Sequence, residues 1–203
     1  MPELPEVETV CRGLAPVMEG RAITALECRR PDLRFPLPEC FAARVAGRRI
    51  TTLGRRAKYL VAAIEGGDVL LMHLGMSGRF TISGGVLGAN VHSTVGDPRH
   101  DHVVFHMEGG ATVTYNDPRR FGFMDLVETA RLDRSRHFAD MGPEPLGEDF
   151  TIAAFNSALA RRAAPFGITA ADFFLPADRV RALCAQLIHA DAEQLAFVTT
   201  AAA

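Results

Sequence analysis

Eight short apolar runs follow one another through the first two-thirds of the chain, and they constrain the fold more than any other feature. They are Ala22–Cys28, Arg49–Leu53, Tyr59–Ile64, Val69–Leu74, Phe80–Ile82, His102–Met107, Ala111–Tyr115 and Phe123–Val127. Turn formers separate them, including Gly66-Gly67, Gly84-Gly85 and Gly109-Gly110. Each run is too short for a buried helix and the right length for a strand. A series of short strands with regular turns predicts a sandwich or barrel-like sandwich. Ser83–Arg99 is rich in turn and breaker residues and reads as an exposed loop.

Helices are expected at both ends. Pro5 fits the N1 position of a first helix, and Glu3, Glu6 and Glu8 complement the positive end of its dipole. Leu4, Val7, Cys11 and Leu14 recur at helical spacing and should face a core, with Gly13 weakening the helix and Pro16 near its end. Beyond Ala130 the pattern changes. "MGPEPLGEDF" is a proline-rich connector, Thr151 could cap a helix through Arg162, and Pro176 starts another with Val180, Leu183, Cys184, Leu187 and Ile188 on one stripe. The expected class is α+β: an N-terminal β-sandwich with flanking helices over residues 1–130, then a linker and a short, truncated or divergent helical region over 131–203.

No stretch approaches the roughly 20 apolar residues that span a bilayer, and the acidic N-terminus lacks a signal peptide's basic start. A cytoplasmic location and no membrane partner are therefore expected. Cys11, Cys28, Cys40 and Cys184 are scattered with no C-x-x-C pair, so they read as buried free thiols rather than zinc ligands. The formal net charge of −2 is not that of a nucleic-acid binder taken whole. Its distribution differs: Arg21, Arg29, Arg30, Arg34, Arg44, Arg48, Arg49, Arg55, Arg56 and Lys58 face only Glu27, Asp32 and Glu39 in the same stretch. That surplus could build a basic surface, or could be an ordinary solvated face. Lys58 is the only lysine in the chain, and a compact point charge among arginines invites a specific role.

Three places could carry chemistry. Removal of Met1 would make Pro2 an N-terminal secondary amine. An α-amino group has a pKa of roughly 7.7–8.0, so part of it is neutral and nucleophilic near pH 7. It could attack an electrophilic carbon to give an iminium ion, with Glu3 moving protons beside it and Glu6 one helical turn on. The plainer reading is a translation start followed by helix-capping glutamates. "MHLGMSGRF" sets His73 and Met76 around a tight Gly75/Gly78 turn. "NDPRRFGFMD" sets Arg119, Arg120 and Phe121 at a turn between strands, a pattern suited to an aromatic wedge entering a base stack while guanidiniums hold phosphates or base edges. The alternative makes Phe121 a core residue that begins the next strand.

The strings "PELPEVETV", "RRAKYL", "HLGMSGRF", "RHDHVVF", "NDPRRFGF" and "MGPEPL" occur in that order over roughly residues 1–160. Together they resemble the formamidopyrimidine-DNA glycosylase/endonuclease VIII family, its formamidopyrimidine branch more closely. The resemblance implies a bifunctional enzyme that excises oxidised purines, 8-oxoguanine and formamidopyrimidines, and then cuts the strand by β,δ-elimination. It implies Pro2 as nucleophile on deoxyribose C1′ and Glu3 as general acid/base. Lys58 completes the catalytic set by contacting phosphate beside the lesion, and Glu6 supports the active-site helix. His73 would be a further phosphate contact. Met76, Arg119 and Phe121 would fill the gap left by a flipped nucleotide, with Arg119 facing the orphaned base. The implied fold is a β-sandwich with flanking helices joined to a helical domain with a helix–two-turn–helix and a zinc finger.

The chain departs from that pattern after Arg162. "AAPFGITAADFFLPADRV" stands where the family's Gly-Asn-Ile-Tyr motif should lie, and four cysteines for a zinc finger are not found. No metal and no other cofactor is therefore expected. The expected partner is damaged double-stranded DNA, and the chain is expected to be a monomer. Two alternatives stand beside an impaired glycosylase/lyase: a non-catalytic damaged-DNA-binding paralogue, and a fragment without independent function.

Overall fold

The computed structural model describes residues 2–84, 96–144, 147–155 and 157. Much of the Ser83–Arg99 loop, the continuation of the Thr151 helix to Arg162 and the Pro176 helix lie outside the described residues. The chain forms two compact units, residues 1–141 and 142–203.

The first unit contains all eight expected strands: β1 Ile23–Cys28, β2 Ile50–Arg56, β3 Tyr59–Ile64, β4 Asp68–His73, β5 Arg79–Ser83, β6 Asp101–Met107, β7 Thr112–Asn116 and β8 Phe123–Glu128. They make two antiparallel four-stranded sheets, ordered β1-β6-β7-β5 and β2-β3-β4-β8. The inner faces supply the main core, which includes Ile23, Leu60, Leu70, Phe105, Val113 and Tyr115. Strand β3 alternates between buried and half-buried residues, as expected where one face meets a core. Strand β4 is buried almost throughout. The reason is that Val69 and Leu71 point to the other face, where Phe138 and Leu132 cover them. The short 3-10 turn Thr129–Arg134 and the segment after it supply that cover.

Helix α1, Leu4–Met18, buries Val7, Cys11, Leu14, Val17 and Met18 on one stripe, and Leu4 is half-buried. Glu3 is its N-cap, so Pro5 falls at N2, one place later than expected, where a proline's missing N–H is equally harmless. A second helix, α2 Phe41–Val45, covers the approach to β1 with Phe41 and Val45 buried. The sequence reading did not include it. Cys11 is a buried free thiol, but Cys28 and Cys40 are free and exposed. Cys28 ends β1, an edge strand, and Cys40 is the N-cap of α2, so neither position faces a core.

The structure shows how the basic run is compensated. Arg44 and Arg48 both reach Asp68, at 3.2 and 3.1 Å. Arg49 pairs with Glu108 at 2.9 Å, Arg55 with Glu8 at 3.0 Å and Arg56 with Asp133 at 2.6 Å. Much of the local surplus is neutralised by acids far away in sequence.

In the second unit the described residues show Thr151 as a helix cap. Its Oγ1 accepts from Ala154 N–H at 3.1 Å, and Phe155 N–H donates to its carbonyl at 2.9 Å. The Phe150 and Phe155 rings meet edge-on at 5.9 Å.

Candidate active site

Helix α1 is tied down at both ends. Glu6 reaches back one turn, and its Oε2 accepts from the Glu3 backbone N–H at 3.0 Å. Arg55 Nε donates to Glu8 Oε2 at 3.0 Å, tying the helix to strand β2. Hydrogen bonds from Arg55 first, then Arg12, hold the Glu8 carboxyl below its ordinary range. At the other end, Glu19 accepts from Leu53 N–H at 3.0 Å. Pro2, half-buried, sits directly before this anchored turn.

Lys58 approaches from the β2–β3 hairpin, whose strands pair up to Arg56 and Tyr59. That register leaves a two-residue turn, Ala57-Lys58, with Ala57 in the left-handed region (φ 48°). The tightness of the turn aims Lys58 at the helix start, where Nζ lies 2.6 Å from Glu3 Oε2. The chain's only lysine and the carboxylate next to Pro2 therefore form one ion pair.

His73 ends β4 directly across from Tyr59. Its Nδ1 lies 3.0 Å from the Gly75 backbone N–H, and because an amide can only donate, Nδ1 is the acceptor. In the neutral ring the proton therefore sits on Nε2. Burial, and then the charges of Lys58, Arg34 and His137, hold the His73 pKa below its ordinary value. At neutral pH the ring is an uncharged donor through Nε2. Phe123 stacks on it at 5.2 Å, and His137 stacks on the far face of the group at 5.2 Å from Phe123.

Two loops carry the remaining candidates, Leu74–Gly78 between β4 and β5 and Asp117–Gly122 between β7 and β8. They lie back to back with no room between them. A Cβ on Gly75 would stand 2.3 Å from the Gly122 nitrogen, and one on Gly122 would stand 1.8 Å from the Tyr115 hydroxyl. Gly75 also has φ +64°, so both space and conformation demand glycine there. Met76 and Phe121 project from these loops, 42% and 40% exposed. Phe121 is therefore the tip of the turn rather than the first core residue of the next strand; Phe123 takes that place. The Arg119 guanidinium lies 4.8 Å from the centre of the Phe121 ring.

Asp117 holds this arrangement together, and the sequence reading passed over it. It is 0% exposed. Its Oδ1 accepts from Ser77 Oγ in a short bond and from Arg119 N–H at 3.3 Å. Its Oδ2 accepts from Gly122 N–H at 2.9 Å and Tyr115 O–H at 3.2 Å, and its carbonyl lies 2.9 Å from His102 Nε2. One buried carboxylate thus ties the Met76 loop to the Arg119/Phe121 loop. Burial, then the Asp117 charge and this hydrogen bond, push the Tyr115 pKa far above its ordinary value. A signal existed in the sequence: Asp before Pro in a turn commonly turns its carboxylate onto nearby backbone N–H groups.

Pro2, Glu3, Glu6 and Lys58 thus come together as one group. His73 lies within electrostatic reach of Lys58, and Met76, Arg119 and Phe121 form a second group on the adjoining loops. Among the described residues, no three or more His, Cys, Asp or Glu side chains are arranged to hold a metal ion. Among the described residues, Cys11 is in the core and Cys28 and Cys40 occupy separate elements, so these three cysteines are not gathered at one place; Cys184 lies outside the described residues. Among the described residues no helix is long and apolar enough to cross a membrane.

Residues 1–124 match the family model described as the formamidopyrimidine-DNA glycosylase N-terminal domain. The formamidopyrimidine-DNA glycosylase of Ruegeria sp. (strain TM1040) is 55% identical over 165 residues, covering 81% of this chain and 58% of that protein. That of Azorhizobium caulinodans is 57% identical over 166 residues, covering 80% and 57%. Among solved structures, the Lactococcus lactis formamidopyrimidine-DNA glycosylase bound non-covalently to DNA with an abasic site is similar at a TM-score of 0.63 and 30% identity, over 79% of this chain and 58% of that one. MutM (Fpg) from Thermus thermophilus gives 0.60 and 34%, over 79% and 53%. The chain spans 58% of the length of the first of these relatives.

Proposed function

The chain belongs to the formamidopyrimidine-DNA glycosylase family, and from that premise we propose that it is a DNA-repair glycosylase and abasic-site lyase acting on oxidised purines in duplex DNA. The observation that carries this reading is the Glu3–Lys58 pair at 2.6 Å, directly after Pro2 on an anchored helix start. The nucleophile, a proton carrier and a cation suited to phosphate then share one small volume. Glu6 supports them through the Glu3 backbone.

The chemistry uses the protein's own groups and requires no metal or other cofactor. Once Met1 is removed, the neutral Pro2 nitrogen attacks C1′ of the extruded nucleotide. The N–C1′ bond forms as the bond to the base breaks, and the base leaves with the electron pair and takes up a proton. The Pro2 nitrogen, positively charged after the attack, loses its proton to the Glu3 carboxylate, and Glu3 returns that proton to the ring oxygen as the C1′–O4′ bond opens to an iminium ion. The iminium draws electrons from C2′–H; loss of that proton expels the 3′ phosphate, and a second elimination releases the 5′ phosphate. Extrusion is necessary because the sugar carbon cannot be reached inside the stack. Met76 and Phe121 would fill the vacated space and Arg119 would face the orphaned base, while Lys58 and the Nε2 proton of His73 would hold phosphate. Such a role belongs to a monomer acting on the nucleoid in the cytoplasm.

The test starts with intact mass, to establish that Met1 is absent. The processed protein is then mixed with DNA bearing an abasic site or 8-oxoguanine, and borohydride is added. A covalent adduct is expected, and none from a Pro2→Gly variant. Correctly processed protein that gives no adduct with either substrate would sink the enzyme reading and leave DNA binding without catalysis.

A further inference from the structure

The segment 29–40 between β1 and α2 entered the sequence analysis only as part of the basic run. The structure lays it along the Arg119/Phe121 loop. Arg34 N–H donates to the Gly122 carbonyl at 3.0 Å, and the Arg120 guanidinium stands 3.7 Å from Asp32. Buried Leu33 anchors the segment, and Leu33 N–H donates to the Phe35 carbonyl at 2.9 Å. The segment is thus a third fixed loop beside the other two.

At its tip Phe35 is 41% exposed, with one edge against Phe123 at 5.6 Å. Two guanidiniums lie near its ring, Arg34 at 5.5 Å and Arg136 at 5.6 Å. Asp125 compensates Arg136 at 2.9 Å. Among the described residues Arg34 has no carboxylate in ion-pair reach, unlike Arg44, Arg48, Arg49, Arg55 and Arg56. Arg34 also acts electrostatically on His73, as Lys58 does. An unpaired cation next to an exposed aromatic ring, near enough to His73 to act on it as Lys58 does, calls for a ligand with both a negative charge and an apolar or aromatic face. A nucleotide has both.

We propose that Arg34 and Phe35 extend the DNA-binding track beyond Lys58 and His73, with the Arg34 guanidinium on a backbone phosphate and Phe35 against the adjoining sugar or base. The proposal rests on the DNA-binding part of the function proposed above. It assigns work to a segment outside the catalytic group and the wedge loops.

Anisotropy of a labelled duplex carrying a stable abasic analogue, titrated at several salt concentrations, decides the matter. The proteins compared are wild type, Arg34→Ala, Arg34→Lys, Phe35→Ala and Lys58→Ala, each first checked for an unchanged melting temperature. Each lost phosphate contact lowers the slope of log affinity against log salt by about 0.9. Arg34→Ala is expected to reduce the slope by that amount, as is Lys58→Ala, and Arg34→Lys to restore it. Phe35→Ala is expected to weaken binding about 5-fold or more with the slope unchanged. A slope reduced by Lys58→Ala but not by Arg34→Ala overturns this proposal alone. A wild-type chain that does not bind the duplex at all overturns both this proposal and the DNA-binding function it rests on.

Discussion

Changing Asp117 should reveal how firmly the two wedge loops depend on a single carboxylate. Four donors converge on it, two per oxygen. In Asp117→Asn one oxygen becomes an NH2 group and meets donors. The less costly orientation turns the NH2 toward Ser77, whose hydroxyl can rotate to accept, and leaves the Arg119 N–H to its other acceptor, Ser77 Oγ at 3.3 Å. The retained oxygen then still serves Gly122 and Tyr115. Hydrogen bonds to a charged group contribute about 1.5–3 kcal/mol against about 0.5–1.5 for neutral ones. Weakening several bonds in this way should cost about 2–3 kcal/mol. Asp117→Ala should cost more, because buried Gly122 N–H and Tyr115 O–H are both left without an acceptor, at about 1–3 kcal/mol each. Against a total of about 5–15 kcal/mol the asparagine variant remains folded. Urea unfolding should show a lower midpoint for Asn and a lower one still for Ala, with the slope unchanged. Amide exchange at Gly122 should accelerate in both. An asparagine variant as stable as wild type, or an alanine variant no worse than asparagine, would refute the account of Asp117 as the tie between the loops.

Other outcomes follow from the same structure. His73 should titrate below 6.5 by NMR; its contribution to stability is then fully present above 6.5 and is lost as pH falls from there through its lower folded value. Because the ring is neutral at pH 7, DNA affinity should not rise on acidification until that lower value is reached. Phe121→Ala and Met76→Ala remove exposed side chains, so stability should change by no more than about 0.5 kcal/mol. Excision from duplex DNA should nevertheless fall sharply, while cleavage of single-stranded abasic DNA, which needs no wedge, is retained. Lys58→Ala should lower the yield of borohydride-trapped adduct, since it removes the partner of Glu3. For the unaltered chain, excision of 8-oxoguanine from duplex DNA should be weak at physiological salt, with lyase activity on abasic sites better preserved; excision as fast as that of the Ruegeria relative, measured side by side, would contradict this.

The strands were legible because each run has a strand's length and a hard stop on both sides, the glycine pairs after Ile64 and Met107 being the clearest. Helix α1 was legible from a stripe of Val7, Cys11 and Leu14. Helix α2 was not, because five residues give too little periodicity and its N-cap is Cys40, which is no cap former. The Pro2–Glu3–Lys58 group was found through the resemblance and the rarity of lysine. No local pattern says that the Ala57-Lys58 turn folds back onto the helix start. The role of the basic run stayed open in the sequence for a related reason. Arg49 and Glu108 meet only after the sandwich closes, so counting charges along the chain could not anticipate their neutralisation. Asp117 was overlooked because it sits in a string that was read for its arginines and phenylalanine, and burial of a turn carboxylate is a tertiary fact.

The end of a polypeptide is ordinarily its least determined part, since nothing precedes it to hold it in place. Here the proposed reactive atom is two residues ahead of a helix whose other end carries Val17 and Met18 in the core, with Glu19 hydrogen-bonded to Leu53. Fourteen intervals from Leu4 to Met18, at about 1.5 Å each, put roughly 20 Å between that anchor and the nucleophile. The helix is stiff and packs along its whole length through Val7, Cys11 and Leu14 as well, so a shift forced at its far end is passed to its start. Substitutions at Val17 or Met18 that leave the fold intact should therefore register as errors of aim at Pro2, and the packing of a remote core becomes a determinant of reaction rate.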